Sequence, residues 1–361
     1  HSTSRRQRQM CIRDRYISCQ YYRIEDNKIY TDEIYNNTQE TLVVGKEYAI
    51  TTYNIGFGAY NHDFSFFMDQ GKMLSGEKVK GKLSKATSKE IVLTNTRGAI
   101  EEITAFNPDF AFFQEVDTNS TRSFQVNQFK MLQESLAKMA SVHVSNFHSA
   151  YLFYPILDPH GVVNSGIATF SKYKIDKVIR KSLEITDAFP SKFFDLDRCF
   201  SASYLKTNHD NYLVIVNVHL SAYDKGGVYR KKQLQQLNSF LEVEYQKGNY
   251  VVCGGDFNHD IANSMYVFET KQEKPEWVYA LNNDDLNENF SFATNNNIPT
   301  CRSTDMPYEK NVNYTVVLDG FIVSKNVDVI MVENVDTNFE YSDHNPCLLY
   351  TSPSPRDMRR S

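Results

Sequence analysis

Residues Tyr250 to Asn258 read YVVCGGDFN. An apolar run of strand type, Tyr250 to Cys253, ends in two glycines that let the backbone turn sharply. Asp256 and Asn258 emerge at the C-terminal end of that strand, and two residues apart they point the same way if the backbone stays extended. A carboxylate and an amide so placed suit a hydrated cation and an oxyanion. Hard divalent ions prefer oxygen ligands, and a carboxylate can take a proton from water. Gly, Asp and Asn are also ordinary turn residues, so alone the stretch reads first as a strand entering a β-turn. What decides between the readings lies elsewhere in the chain.

Working outward, Tyr212 to Leu220 (YLVIVNVHL) is a β-branched strand ending in His219, and Leu234, Leu237, Leu241 and Tyr245 mark a helix between it and the central strand. Upstream, Glu47 to Ile55 (EYAITTYNI) alternates as a strand and places Asn54 just before Gly56 and Gly58. Asp109 to Asp117 (DFAFFQEVD) is a buried strand with Glu115 near its end. An acidic residue after such an apolar run is either newly exposed or a ligand. Asn164 to Ser171 (NSGIATFS) and Asp197 to Leu205 are further strands. Asn164 and Arg198 are weak candidates for phosphate contact there, Arg198 reading first as a surface arginine. Two amphipathic helices are predicted, one through Leu93, Ile100, Ile103 and Phe106, the other through Val126, Phe129, Leu132, Leu136 and Met139. Downstream, Asp319 interrupts the strand Thr315 to Ser324 and needs a partner, because an unpaired buried carboxylate is costly. The stretch YSDHNP offers one in His344, next to Asp343.

Two stretches lack clear periodicity. Ala59 to Glu90 is polar, with lysines from Lys72 to Lys89 that read as a solvated loop or, alternatively, as an anion-binding strip. Asn263 to Thr315 reads as an elaborated surface insertion. Phe64, Phe66 and Phe67 are read as core in preference to a membrane wedge.

The chain ends look foreign. Residues 1–15 (HSTSRRQRQMCIRDR) and 350–361 (YTSPSPRDMRRS) resemble translated sequencing-adapter sequence and are set aside as non-native extensions. Residues 16–46 are a lead-in with one expected strand, and a signal peptide or anchor preceding Tyr16 could have been lost, so location is left open. The whole chain carries 39 Lys+Arg and 44 Asp+Glu, net −5. The two ends hold eight arginines and two aspartates, so the body carries 31 basic and 42 acidic side chains, net −11. An acidic body argues against tight sequence-independent DNA binding. The six cysteines form no C-x-x-C pair, which speaks against zinc or redox motifs. No run of about 18 apolar residues is present.

Taken together, TYNIG, FFQEVD, SGIATFSK, VNVHL, GGDFN, LDGFIVS and SDHNP resemble, in order, the endonuclease/exonuclease/phosphatase superfamily with its DNase I-like fold. Among its members the chain looks most like bacterial ones of unassigned substrate. The resemblance implies an α/β fold, a four-layer sandwich of two mixed β-sheets flanked by helices, over residues 47–349. It implies hydrolysis of a phosphodiester, nuclease-like or phospholipase C-like, dependent on Mg²⁺ or Mn²⁺. Glu115 would hold the metal with Asn54 and Asp343 close by. Asp256 would position or deprotonate the attacking water, and Asn258 would bind a phosphate oxygen. His344, oriented by Asp319, would bind or protonate the phosphate, and His219 would assist the leaving oxygen. The substrate is left open among nucleic acid, a phospholipid headgroup and a small phosphate ester. A monoesterase acting on a phosphorylated sugar or inositol is the alternative. A non-catalytic binding protein on the same fold is the remote one, because none of the metal or nucleophile positions is lost. No stable protein partner is indicated, and a monomer is expected.

Overall fold

The computed structural model describes residues 22–185, 197–222 and 228–354. Two mixed sheets lie face to face. One has seven strands in the order Ile29–Tyr30, Lys177–Ser182, Cys199–Lys206, Tyr212–His219, Tyr250–Asp256, Asp319–Ser324 and Phe290–Ala293. The other has six, in the order Val327–Asn334, Cys347–Pro353, Tyr48–Asn54, Phe110–Asp117, Asn164–Ser171 and Ala140–His148. Each contains a single parallel pair, Tyr212–His219 beside Tyr250–Asp256 and Tyr48–Asn54 beside Phe110–Asp117. Parallel neighbours end at the same level, so each pair delivers two C-terminal strand ends to one edge.

Alternation sorts side chains between three cores. Ile50, Phe110, Phe112, Ile215, Val252, Phe321 and Leu349 pack between the sheets. On the outer face of the seven-stranded sheet, Val214, Val216, Val251 and Cys253 meet Leu234, Leu237 and Leu241 of helix Val228–Gln246. On the outer face of the other, Tyr53, Ala111, Phe113 and Phe170 meet Ile100, Ile103, Phe129 and Leu132. Those last four come from helices Lys89–Ala105 and Gln128–Ser135. This is the four-layer α/β sandwich expected. A polar tie crosses the central core below the site: Gln114 Nε2 donates to Asn217 Oδ1 at 2.8 Å, and Asn217 Nδ2 donates to Ala168 O at 3.0 Å.

Several expectations need correction. Gly254 and Gly255 form no turn, for the central strand runs through them to Asp256. They are required by crowding: a Cβ on Gly255, at φ +148°, would lie 2.0 Å from Val218 O, and one on Gly254 would lie 2.6 Å from the Phe321 ring. Residues 263–315 are not a pure surface insertion. Phe290–Ala293 closes one edge of the seven-stranded sheet, and Cys301–Arg302 pairs with Thr315–Val316. Nor does the domain stop at 349. Tyr350 and Thr351 pair with Ala49 and Tyr48 on one side and with Met331 and Val329 on the other. Residues 1–21 and 355–361 lie outside the described part. Within 59–90 a short hairpin forms from Gln70–Lys72 and Lys78–Lys80.

Candidate active site

Three predicted residues stand on adjacent rungs of one sheet. His219 ends its strand opposite Asp256, and Asp256 pairs across the antiparallel side with Asp319. Asp256 is buried. Its Oδ2 lies 3.0 Å from Asn54 Nδ2, 3.4 Å from His219 Nε2 and 3.7 Å from His344 Nε2, while Oδ1 accepts the Asn258 N–H at 2.8 Å. Asn258, at φ +50°, turns back and donates Nδ2 to Leu220 O at 2.8 Å, which fixes it beside the loop after His219. Asn54 thus reaches over from the six-stranded sheet to hold the central carboxylate.

His344 joins the two sheets. Its loop, between Val327–Asn334 and Cys347–Pro353, is pinned by Ser342 Oγ donating to Asn54 O at 2.7 Å. His344 Nδ1 donates to Asp319 Oδ2 at 2.7 Å, the pairing expected from the sequence. Burial alone would lower the His344 pKa, but Asp319 and then Asp256 outweigh it and raise the value well above the ordinary one. His219 goes the other way. Burial first, then the charges of Arg198 and His344, hold it well below the usual range. The two imidazoles are thus shifted in opposite directions, His344 toward its charged form and His219 toward its neutral one. Burial also raises Asp256, with His344 opposing and Asp319 adding to the shift.

The carboxylates of the six-stranded side sit differently. Glu115 occupies a bulge between Phe113 and Val116 with φ +54°, which turns its side chain out of the strand's alternation, where Asn54 Nδ2 approaches at 3.4 Å. Burial pushes Asp343 up to about 7; Glu115 adds to this, against the pull of His344 and Arg302. Two carboxylates that repel each other beside a cavity are the donor set a divalent cation suits. Asn54 fits that set less directly. Its oxygen accepts the Gly56 N–H at 3.0 Å and its amide faces Asp256 and Glu115, so it organises the carboxylates. A second group, Asp256, Asp319 and His344, brings ligand atoms within 4.8 Å of one another. There Asp319 is already hydrogen-bonded to His344. Glu115 and Asp343 lie outside that group.

Glu115, Arg198, His219, Asp256, Asn258, Asp343 and His344 all line one cavity of about 740 Å³, with Asn54 and Asp319 standing behind it. Asn164 does not join them. Its amide is spent on the Asn119 carbonyl, at 2.7 Å, and its oxygen on His148 Nδ1, at 2.8 Å. None of the lysines of 72–89 lines the cavity; Lys72 and Lys85 pair with Glu273 and Asp158. Sequence reasoning missed Arg122 and Arg302, both buried and both lining this space. Arg122 is clamped by Asp117 through Nε at 3.0 Å and Nη2 at 2.9 Å. A buried acid followed five residues later by an arginine was the available signal. The same cavity is also lined by the apolar Phe66, Phe67, Leu152, Tyr154 and Trp277. Phe66 and Phe67 thus face the cavity, and of the three phenylalanines read as core only Phe64 is fully buried.

Comparison with known proteins agrees with this geometry. A curated relative, an inositol phosphosphingolipids phospholipase C of Schizosaccharomyces pombe, is 24% identical over 245 residues, covering 59% of this chain and 58% of that protein. Among solved structures, an endonuclease/exonuclease/phosphatase from Beutenbergia cavernae superposes with a TM-score of 0.53 at 14% identity, covering 86% of this chain and 72% of its own. One from Bacteroides vulgatus gives 0.52 at 15% identity, covering 86% and 100%. The model of the Endonuclease/Exonuclease/phosphatase family matches residues 51–344, a span holding every rung and loop of the site. Members of that family hydrolyse phosphoester bonds and generally use divalent metal ions. The chain belongs to the endonuclease/exonuclease/phosphatase family.

Proposed function

We propose that this phosphoesterase is a divalent-metal-dependent phosphodiesterase of phospholipase C type, cleaving a headgroup from an apolar substrate. One observation carries the reading. His219, Asp256 and Asp319 stand side by side across the sheet with His344 hydrogen-bonded to Asp319, at a cavity also lined by Phe66, Phe67, Leu152, Tyr154 and Trp277. An apolar lining suits a hydrocarbon or sphingoid portion far better than a nucleic-acid backbone, which asks for a basic track. The phospholipase C relative supports the same class, though the match spans just over half of its length.

The roles follow from charge and position. Asp256, braced by Asn54 and the Asn258 N–H, orients the attacking water and receives its proton. Protonated His344, held by Asp319, hydrogen-bonds a phosphoryl oxygen and stabilises the charge that builds there. Neutral His219 is poised to donate a hydrogen bond to the departing oxygen. Glu115 and Asp343 would hold Mg²⁺ or Mn²⁺, which supplies charge neutralisation at the phosphate when bound. A monoesterase is the second reading, favoured by three arginines (Arg122, Arg198 and Arg302) in the same cavity, a set suited to a dianion.

Hydrolysis of bis(p-nitrophenyl) phosphate beside p-nitrophenyl phosphate, with Mg²⁺, Mn²⁺ or chelator, tests this. Metal-dependent turnover of the diester is expected, and of sphingolipid phosphodiesters in mixed micelles more strongly still. Turnover of the monoester alone would overturn the diester reading. Preference for DNA over lipid would overturn the phospholipase assignment.

A further inference from the structure

Arg302 differs from the buried Arg122 and Arg180. Arg122 has Asp117 and Arg180 has Asp197 within ion-pair distance, at 2.9 and 3.7 Å. Among the described residues no carboxylate lies that close to Arg302, although it is only 2% exposed. Its Nη2 reaches Asn61 O at 3.2 Å and Tyr60 O at 3.4 Å, and Nη1 reaches Ser303 O at 3.3 Å, all long for charged donors. The Nε–H has no acceptor among the described residues. Tyr308 presents its ring 5.3 Å from the guanidinium carbon.

Position gives this buried charge a purpose. The Arg302 N–H donates to Asp343 O at 3.0 Å, and the preceding Cys301 bridges to His344. The guanidinium is thereby fixed beside the Asp343–His344 loop, on the wall of the catalytic cavity. The carboxylates of Asp69 and Asp305 line the same space but are already hydrogen-bonded, Asp69 to Thr304 and Asp305 to Gln272. A desolvated cation with an unused donor is costly unless an anion completes it. Resting on the phosphoester reading above, we infer that Arg302 is an anion-binding residue of the active site, its guanidinium donating to an oxygen of the substrate's phosphoryl group.

The probe is inorganic phosphate, titrated calorimetrically into the full chain in chelator, with wild type, Arg302→Gln and Arg302→Lys compared and their thermal unfolding recorded. Charge-assisted bonds of this kind are worth about a tenfold change in affinity or more. Phosphate binding weakened about tenfold or more in Arg302→Gln is expected. Arg302→Lys keeps the charge without the fork, so a smaller loss of several-fold is expected. Unchanged phosphate affinity in either folded variant, or no phosphate binding by wild type, overturns the inference. The lysine variant carries the test should the glutamine one not fold. Hydrolysis of bis(p-nitrophenyl) phosphate by wild type separates the two readings. Diester turnover with phosphate affinity indifferent to residue 302 removes the inference alone, whereas Arg302-dependent phosphate binding without turnover keeps it and removes the phosphodiesterase.

Discussion

The two halves of the site are built to different standards of satisfaction. On the seven-stranded side, Asp256 is contacted by Asn54, His219, His344 and the Asn258 N–H, and His344 is anchored on Asp319. On the six-stranded side, Glu115 and Asp343 have little beyond a 3.4 Å contact to Asn54 and a 3.3 Å one from Ser342, and burial and mutual repulsion push Asp343 up to about 7. A closed network holds its geometry before substrate arrives, which is what proton transfer and oxyanion stabilisation need. An open pair of carboxylates is completed by a cation. The first half is preorganised, and on the proposed function the second is completed by a cation.

Breaking the closed half should have the largest effect. Asp256→Ala or His344→Ala is expected to lower kcat/KM for the diester by about 10³-fold or more, each removing a group that acts in the transition state. Circular dichroism should stay native. Activity within a few-fold of wild type in either variant would show that the row is structural. Next comes the open half. Glu115→Gln and Asp343→Asn should weaken Mg²⁺ or Mn²⁺ binding by about tenfold or more in calorimetry, because each removes a charged oxygen ligand. Chelation should abolish turnover in wild type. Should Asp319→Asn weaken metal binding more than these two, the Asp256, Asp319, His344 group would hold the ion instead.

Asp319→Asn also sharpens the comparison from the closed side. Asp319 is the largest influence raising His344. In the proposed mechanism His344 acts as a cation, so activity is present below its pKa and lost as pH rises through it. Removing Asp319 lowers that pKa, and the alkaline limb of the rate profile should move to lower pH. The acid limb belongs to Asp256, which must be ionised. With Asp319 gone, one source of its upward shift goes too, so that limb should move down as well. A uniform drop in rate with both limbs unmoved would leave Asp319 without an electrostatic role.

Much of this site was legible because its residues sit where local pattern changes. An apolar strand that ends in His219, or in Asp256 after two glycines, announces its end in the residues themselves. The Asp319 to His344 pairing followed from the cost of a lone buried acid. What the chain hid was tertiary. Gly254 and Gly255 resemble a turn, and only the Val218 carbonyl and Phe321 ring explain them as spacers. The strand Val327–Asn334 exposes Val329, Ile330 and Met331 in succession at a sheet edge, so no alternation marks it. Ala140–His148 carries a bulge between Ser145 and Phe147 that breaks its period. Arg302 comes from a short strand and Trp277 and Tyr154 from two loops, and no window of sequence contains them together. Asn164 starts a strand antiparallel to Phe110–Asp117 and so lies at the edge where that strand ends, but its amide and oxygen are taken by Asn119 and His148.

Glu102 gives the smallest effect and the cleanest control, being a carboxyl raised by burial with no place in the cavity. It lies on helix Lys89–Ala105 beside Tyr53, and its pKa rises from 4.5 to about 7, chiefly through desolvation and further through Glu340. The folded state therefore binds its proton more tightly than the unfolded chain. Stability from this group is fully present below about pH 4.5, falls as pH rises toward 7, and is flat above. Partial exposure screens the effect, leaving about 1–2 kcal/mol. Glu102→Gln should thus raise Tm at pH 8, leave it nearly unchanged at pH 4, and leave metal affinity and diester turnover alone. Asp343→Asn relieves a similar desolvation but should also cost metal binding. If Glu102→Gln disturbed metal binding equally, the raised Asp343 would report generic burial, and the distinction between an open half and a closed one would fail.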